Sequence, residues 1–253
     1  MISYSQAFED VLLMRALHHL HHDRDNGFWI DVGAYHPVID SVTKEFSVCG
    51  WRGINCEPNE AMFELLKADR PRDINLRVAV TDHIGEAIFH EFGHGQLSTV
   101  EKRFAERHSV DGFQSKSYTV PATTLTRICE EHALKEIHFL SIDVEGHEAS
   151  VLRGMDFRRF RPWLMIIEAV EPLRLDLPTH SEWEDLVLNS GYIFAASQLP
   201  NRFYVANEHR DLLQYFTVPA DNYVRAHELR QIEALRVELE ASRAKILDLE
   251  SRV

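Results

Sequence analysis

Residues 28–37 read FWIDVGAYHP, and residues 53–58 read GINCEP. Each is an apolar run that stops at an acid, and the first then turns through a glycine. A strand ending in Asp-x-Gly, followed one helix later by a strand ending in Glu, outlines a nucleoside pocket at the carboxyl edge of a parallel sheet. The residue types narrow the ligand. A dinucleotide site wants G-x-G-x-x-G, because bare backbone N–H groups at a helix N-terminus must approach a pyrophosphate. Here Asp31 takes the first glycine position, and Gly33 is followed by Ala34, Tyr35, His36 and Pro37. A carboxylate at that turn repels pyrophosphate but suits an ammonium, while Glu57 suits the two hydroxyls of a ribose. S-adenosylmethionine offers both features without a phosphate. The pattern therefore favours methyl transfer over hydride transfer.

Working outward, strand-like runs alternate with helical ones. Strands are expected at 28–32, 53–56, 75–80, 138–142 and 163–167, and helices at 5–20, 58–68, 123–132, 147–154 and 180–190. Such alternation predicts a doubly wound, mostly parallel sheet. Two further runs, YIFAA (192–196) and RFYVA (202–206), flank a turn with Pro200 and Asn201. A terminal hairpin added to a parallel sheet is the seven-stranded, Rossmann-like plan of class I methyltransferases. Residues 82–120 form an insertion between the third and fourth parallel strands, with a short strand expected at 87–92. Insertions above such a sheet commonly contribute to a substrate lid.

Bulk composition bounds the partners. The 253 residues suffice for one sizeable α/β domain plus an appendage, with the domain expected over 1–220. Net charge is −13, from 27 basic and 40 acidic residues, which disfavours nucleic acid. Three cysteines without CxxC spacing suit a reducing compartment, no apolar run is long enough to span a bilayer, and the N-terminus lacks a signal-peptide pattern. A cytoplasmic protein is the expectation.

Residues 221–253 differ from the rest. Positions 232, 235, 239, 242, 246, 249 and 253 follow heptad spacing and carry Ile, Leu, Leu, Ser, Ile, Leu and Val. This predicts the start of a coiled-coil helix, acting as a linker or as a weak oligomerisation element.

The ordered set IDVGAYHP, SVTKEF, GWRGINCEP, NLRVAV, FLSIDVEGHEASVLRGMDF and IIE, with the opening SYSQAFED, resembles the FkbM family of S-adenosylmethionine-dependent methyltransferases. The similarity covers roughly residues 3–206. It implies a class I fold and O-methylation, frequently of sugars or natural products. The family's cofactor motif falls on Asp31, Gly33 and Ala34, its ribose acid on Glu57, and its D-x-E-G-x-E signature on Asp143, Glu145, Gly146 and Glu148.

Methyl transfer to a hydroxyl needs alignment and removal of a proton. The segment SIDVEGHEA (141–149) crowds three carboxylates and His147, which are costly to pack together unless something cationic relieves them. Asp143 and Glu168, at adjacent strand ends, could hold Mg²⁺ through hard oxygen ligands, with His147 as base and Asp143 both catalytic and in reach of the cofactor. The bland alternative makes Glu148 a helix-start acid and leaves Glu145 solvated. Tyr35 and His36 could cover the methionine end or face the acceptor. Gln6, Glu9 and Asp10 could reach the cofactor, although an exposed helical face accounts for the acids equally well. Ser98 and Thr99 could touch the acceptor, a plain turn being the simpler reading. The HHLHH run at 18–22 lacks further ligands at metal spacing and reads as a solvated helix end. The acceptor expected is a glycan sugar hydroxyl, with a small natural product as the alternative. An inert module in a larger assembly is the rival from another class.

Overall fold

A computed structural model describes residues 3–17, 27–93, 97–132 and 134–217. The HHLHH run and the heptad segment therefore lie outside the described residues. Five strands form the parallel part of the main sheet: β1 (Phe28–Val32), β2 (Arg52–Cys56), β3 (Ile74–Leu76), β7 (Phe139–Ile142) and β8 (Leu164–Glu168). Strand β12 (Asn201–Ala206) runs antiparallel to β8, and β11 (Tyr192–Gln198) pairs antiparallel with β12, giving the order β11-β12-β8-β7-β1-β2-β3. The expected mostly parallel, seven-stranded α/β sheet is present.

The central strands are apolar on both faces, because each face meets a separate core. Ile30, Val32, Leu140, Ile142, Met165, Ile167 and Tyr204 point into one cluster, with helices α5 (Leu125–Glu131), α6 (Glu148–Arg153) and α7 (Glu184–Asn189) contributing to it. Their neighbours Trp29, Phe139, Leu164, Ile166, Phe203 and Val205 point into the other, against α1 (Glu9–Leu17), α2 (Lys44–Val48) and the 3₁₀ segment Asn207–Phe216. Helix α3 (Glu60–Asp69) starts at Asn59, whose side chain accepts a hydrogen bond from the Met62 N–H and so caps the first turn.

The stretch 75–80 is not one strand. The chain leaves the main sheet after β3 and enters a second, three-stranded sheet as β4 (Ala79–Val80). There β4 pairs with β6 (Ser115–Thr123), which also pairs antiparallel with β5 (Gly85–Phe92). The apolar run hides this change because Val78, Ala79 and Val80 still need cover. That cover comes partly from the insertion, where Ala79, Phe89 and Val120 form a small third core. The insertion also carries α4 (Lys102–Val110). Two more differences are local. Trp183, at φ −143°, divides 180–190 into a 3₁₀ turn and α7. Between β8 and that turn the chain makes a small hairpin of β9 (Val170–Glu171) and β10 (Arg174–Pro178).

Candidate functional site

A cavity of about 450 Å³ opens at the carboxyl ends of the parallel strands, where ligands of open α/β sheets bind. Its floor begins at Asp31, whose carboxylate accepts a hydrogen bond from Thr43 Oγ1 at 3.0 Å. Burial pushes the Asp31 carboxyl up to about 6, opposed by Thr43 and by the charge of Arg70. Gly33 then turns at φ +83°, and a Cβ there would lie 1.7 Å from the carbonyl oxygen of Asp143. No side chain fits, so the turn requires glycine. The Gly33 and Ala34 N–H groups donate to Cys56 O (3.0 and 3.2 Å), and the Tyr35 N–H donates to Glu57 Oε2 (2.8 Å). Three successive N–H groups are thus taken by the neighbouring strand end. They are unavailable to cradle a phosphate.

Glu57 also accepts from the Asn59 N–H at 2.8 Å. Burial pushes its carboxyl up to about 7 despite these two bonds. Val78, Ala79, Val80 and Phe89 add an apolar wall beside it. Asp31, Gly33, Ala34, Tyr35, Glu57 and Asp143, read from the sequence as cofactor contacts, all line the one cavity.

Across the cavity stand Asp143, Glu145 and Glu168, each with a carboxylate oxygen within 4.8 Å of the others. Burial, then mutual repulsion, pushes Glu145 and Glu168 well up. Asp143 is also raised by burial, although solvent reaches it through the cavity. Its carboxylate is hydrogen-bonded to Glu168. Glu168 is 7% exposed, and its Oε2 has no partner among the described residues. A buried carboxyl oxygen without a donor is costly, which makes Glu168 a candidate contact for a bound group.

His147 is not part of that wall. It sits behind it at the start of α6, with Nδ1 3.3 Å from Glu101 and Nε2 3.2 Å from Thr81 Oγ1. Burial lowers its affinity for a proton. Both ring nitrogens have partners and the ring does not line the cavity, so the structure sets His147 apart from the acids that the sequence grouped with it. Glu148 is buried and accepts from the Val144 and Gly146 N–H groups, which brace the turn. Gly146, at φ +95°, leaves its Cβ space to the ring of Phe104. His36 likewise turns away, its Nδ1 accepting from the Val38 and Ile39 N–H groups.

The opening segment reaches the site. Gln6 and Glu9 line the cavity, and Glu9 accepts from Asn201 Nδ2 (2.6 Å) and the Ala7 N–H (2.9 Å). Asp10 is instead buried among Ser3, Ser5 and the Tyr4 N–H. Ser98 and Thr99 both line the cavity, Thr99 Oγ1 donating to the carbonyl of Glu145 at 3.0 Å. Sequence reading missed Asp40, Ser41 and Val42, and it missed Glu171, Leu173 and Leu175 of the β9–β10 hairpin. The alternation of Leu173, Leu175 and Leu177 was a usable strand signal.

The sequence model of the methyltransferase FkbM domain matches residues 31–194, from the acid of β1 into β11. The chain belongs to the FkbM methyltransferase family. The matched span of this FkbM domain contains both acids of the turn region and all three carboxylates of the far wall. No curated protein matches the chain significantly. Among solved structures it is similar to the O-methyltransferase from Bacillus cereus in complex with SAH, at 9% identity and a TM-score of 0.42, over 80% of this chain and 81% of that one. Among the described residues of the FkbM chain, no helix is long and apolar enough to cross a membrane.

Proposed function

We propose that the protein transfers the methyl group of S-adenosylmethionine to a hydroxyl of a neutral acceptor, a sugar hydroxyl of a glycan being the best fit. One observation carries the cofactor reading: two buried acids at adjacent strand ends flank a turn whose N–H groups are already satisfied within the protein. Asp31 would hold the ammonium, Glu57 the ribose hydroxyls, and the apolar wall at 78–80 and Phe89 the adenine. The acceptor would enter on the side of Asp143, Glu168 and the β9–β10 hairpin. None of the described side chains lining the cavity is basic, which disfavours a phosphorylated or carboxylated acceptor. Carboxylates accept hydrogen bonds from hydroxyls readily, which favours a polyol.

In the reaction the acceptor oxygen forms a bond to the methyl carbon as the carbon–sulfur bond breaks, leaving S-adenosylhomocysteine. The acceptor proton passes to the Asp143 carboxylate, which faces the cavity where His147 does not. The donor set of Asp143, Glu145 and Glu168 also fits a hard divalent cation such as Mg²⁺, given the clustered oxygens and the unpartnered Glu168 Oε2. Such an ion would polarise an acceptor hydroxyl when bound. Three free cysteines suit a reducing cytoplasm.

Calorimetry with S-adenosylhomocysteine and NAD tests the reading. Binding of the former alone, weakened by about 1.5–3 kcal/mol in Glu57→Ala, is the expected outcome. Binding of NAD, or of neither ligand, would sink it. Release of S-adenosylhomocysteine across a panel of neutral, anionic and cationic saccharides then tests the acceptor class.

A further inference from the structure

Arg70 closes α3 as its C-cap residue, and its side chain is wholly shielded from solvent. A buried guanidinium needs partners on every edge, and three of those of Arg70 lie on the loop that borders the cofactor half of the site. Nη2 donates to the carbonyl of Pro37 (2.5 Å) and to Ser41 Oγ (3.1 Å). Nη1 donates to Thr43 Oγ1 at 3.3 Å. Its charge is balanced by Asp69, 3.2 Å from Nε, and by Asp73, 3.7 Å from Nη1. Three arms thus grip the single loop that joins β1 to α2.

That loop supplies Tyr35, Asp40, Ser41 and Val42 to the cavity. It is bent through two non-glycine residues in the left-handed region, Tyr35 at φ 45° and Asp40 at φ 55°. Side-chain residues adopt this conformation only when their surroundings over-determine it. The bonds from Val38 and Ile39 to His36 are internal to the loop, and those from Gly33, Ala34 and Tyr35 to β2 and Glu57 hold only its first residues. Arg70 reaches the rest of the loop from a separate element. Thr43 passes the effect on: its hydroxyl accepts from Arg70 and donates to Asp31 Oδ2 at 3.0 Å.

We propose that Arg70, though outside the cavity lining, is the positioning residue for the amino-acid end of the cofactor, setting the 35–43 loop and, through Thr43, the rotamer of Asp31. The proposal rests on the cofactor reading above. It accounts for a fully buried arginine in a position where an apolar residue would fill space at lower cost in desolvation. It also accounts for the opposition between burial and the Arg70 charge at Asp31.

The test compares two ligands on the full chain: S-adenosylhomocysteine, and methylthioadenosine, which lacks the amino-acid end. Arg70→Gln removes the charge and the fork, and Arg70→Lys keeps only the charge. Arg70→Gln should weaken S-adenosylhomocysteine about tenfold or more and change methylthioadenosine by less than about twofold, with Arg70→Lys between. Equal weakening of both ligands would make Arg70 a general fold residue and overturn the proposal, as would unchanged affinity for S-adenosylhomocysteine. If the Arg70 variants fail to fold, Thr43→Val, outside the cavity lining, removes one arm and the relay to Asp31 and leaves the charge paired. A several-fold loss specific to S-adenosylhomocysteine supports the proposal, and no loss overturns it. Wild-type protein that binds neither ligand sinks the cofactor reading and this inference with it, whereas wild-type binding with insensitive variants sinks this inference alone.

Discussion

Replacing Asp31 by Asn should make the unliganded protein more stable while destroying its grip on the cofactor. Burial raises the Asp31 carboxyl from 3.8 to about 6. In the folded protein between these values the group keeps a proton that the unfolded chain has released. Stability therefore falls as pH rises through this window and stays lowered above it. A shift of about two pH units corresponds to about 3 kcal/mol, at about 1.4 kcal/mol per unit. The rise to about 6 already includes the opposing pull of Thr43 and Arg70, so with Asn keeping an acceptor for Thr43 the gain should be about 1–3 kcal/mol at pH 8. For a domain of this size that is roughly 2–10 °C in melting temperature. The gain should shrink below pH 6 and vanish near pH 4, where folded Asp31 is itself neutral. Urea titrations of both proteins at pH 4 and pH 8, without cofactor, check this. An Asp31→Asn protein no more stable at pH 8, or equally stabilised at both pH values, would refute the reasoning. Calorimetry on the same samples should show S-adenosylhomocysteine affinity falling by at least about 1.5 kcal/mol.

Other consequences follow from the same geometry. Asp143→Asn should lower turnover about 10²–10⁴-fold while leaving S-adenosylhomocysteine affinity within about threefold, whereas His147→Ala should retain most turnover; a His147→Ala enzyme as inactive as Asp143→Asn would return the base to the histidine. Gly33→Ala forces a Cβ against the Asp143 carbonyl at a positive φ and should cost about 3 kcal/mol or more in a denaturant titration; near-native stability would show that the two strand ends are not in contact. The heptad segment should give weak, concentration-dependent association in sedimentation, while a chain cut after Ala220 stays folded, monomeric and able to bind cofactor. A strictly monomeric full chain, or a truncation that unfolds, removes the linker reading.

Much of the scaffold was legible because central parallel strands announce themselves. FWIDV and FLSI are apolar on both faces and can sit only in a covered sheet. The acids that end β1, β2 and β8 were legible for a related reason: an ionisable residue that abruptly ends an apolar run stands at the sheet's edge. What the sequence hid depends on long-range pairing. The switch from β3 to β4 inside 74–80 is decided by β6, some forty residues downstream, which no local pattern reveals. The orientation of His147 was hidden likewise. A histidine two residues after Glu145 could face either side of the turn, and Glu101 and Thr81, from remote segments, draw it behind the wall. Arg70 escaped notice for the opposite reason. In sequence it is one more charge at a helix end, and its burial follows from a loop whose Pro37 lies 33 residues earlier.

The contact between Gly33 and the Asp143 carbonyl has a bearing on how such an enzyme can change its substrate. It joins the turn proposed to meet the cofactor to the strand end proposed to meet the acceptor, 110 positions apart in sequence and with no side chain to absorb a shift. The Val32 carbonyl and the Asp143 N–H, 3.0 Å apart, tie the same two strands immediately below. Neither motif can be remodelled without disturbing the other, so these positions are closed to adaptation. Freedom lies instead at the rim, in residues 97–100 of the insertion and 173–175 of the small hairpin, which border the cavity from outside the main sheet. There, new side chains can reshape acceptor preference while the transfer machinery underneath stays as it is.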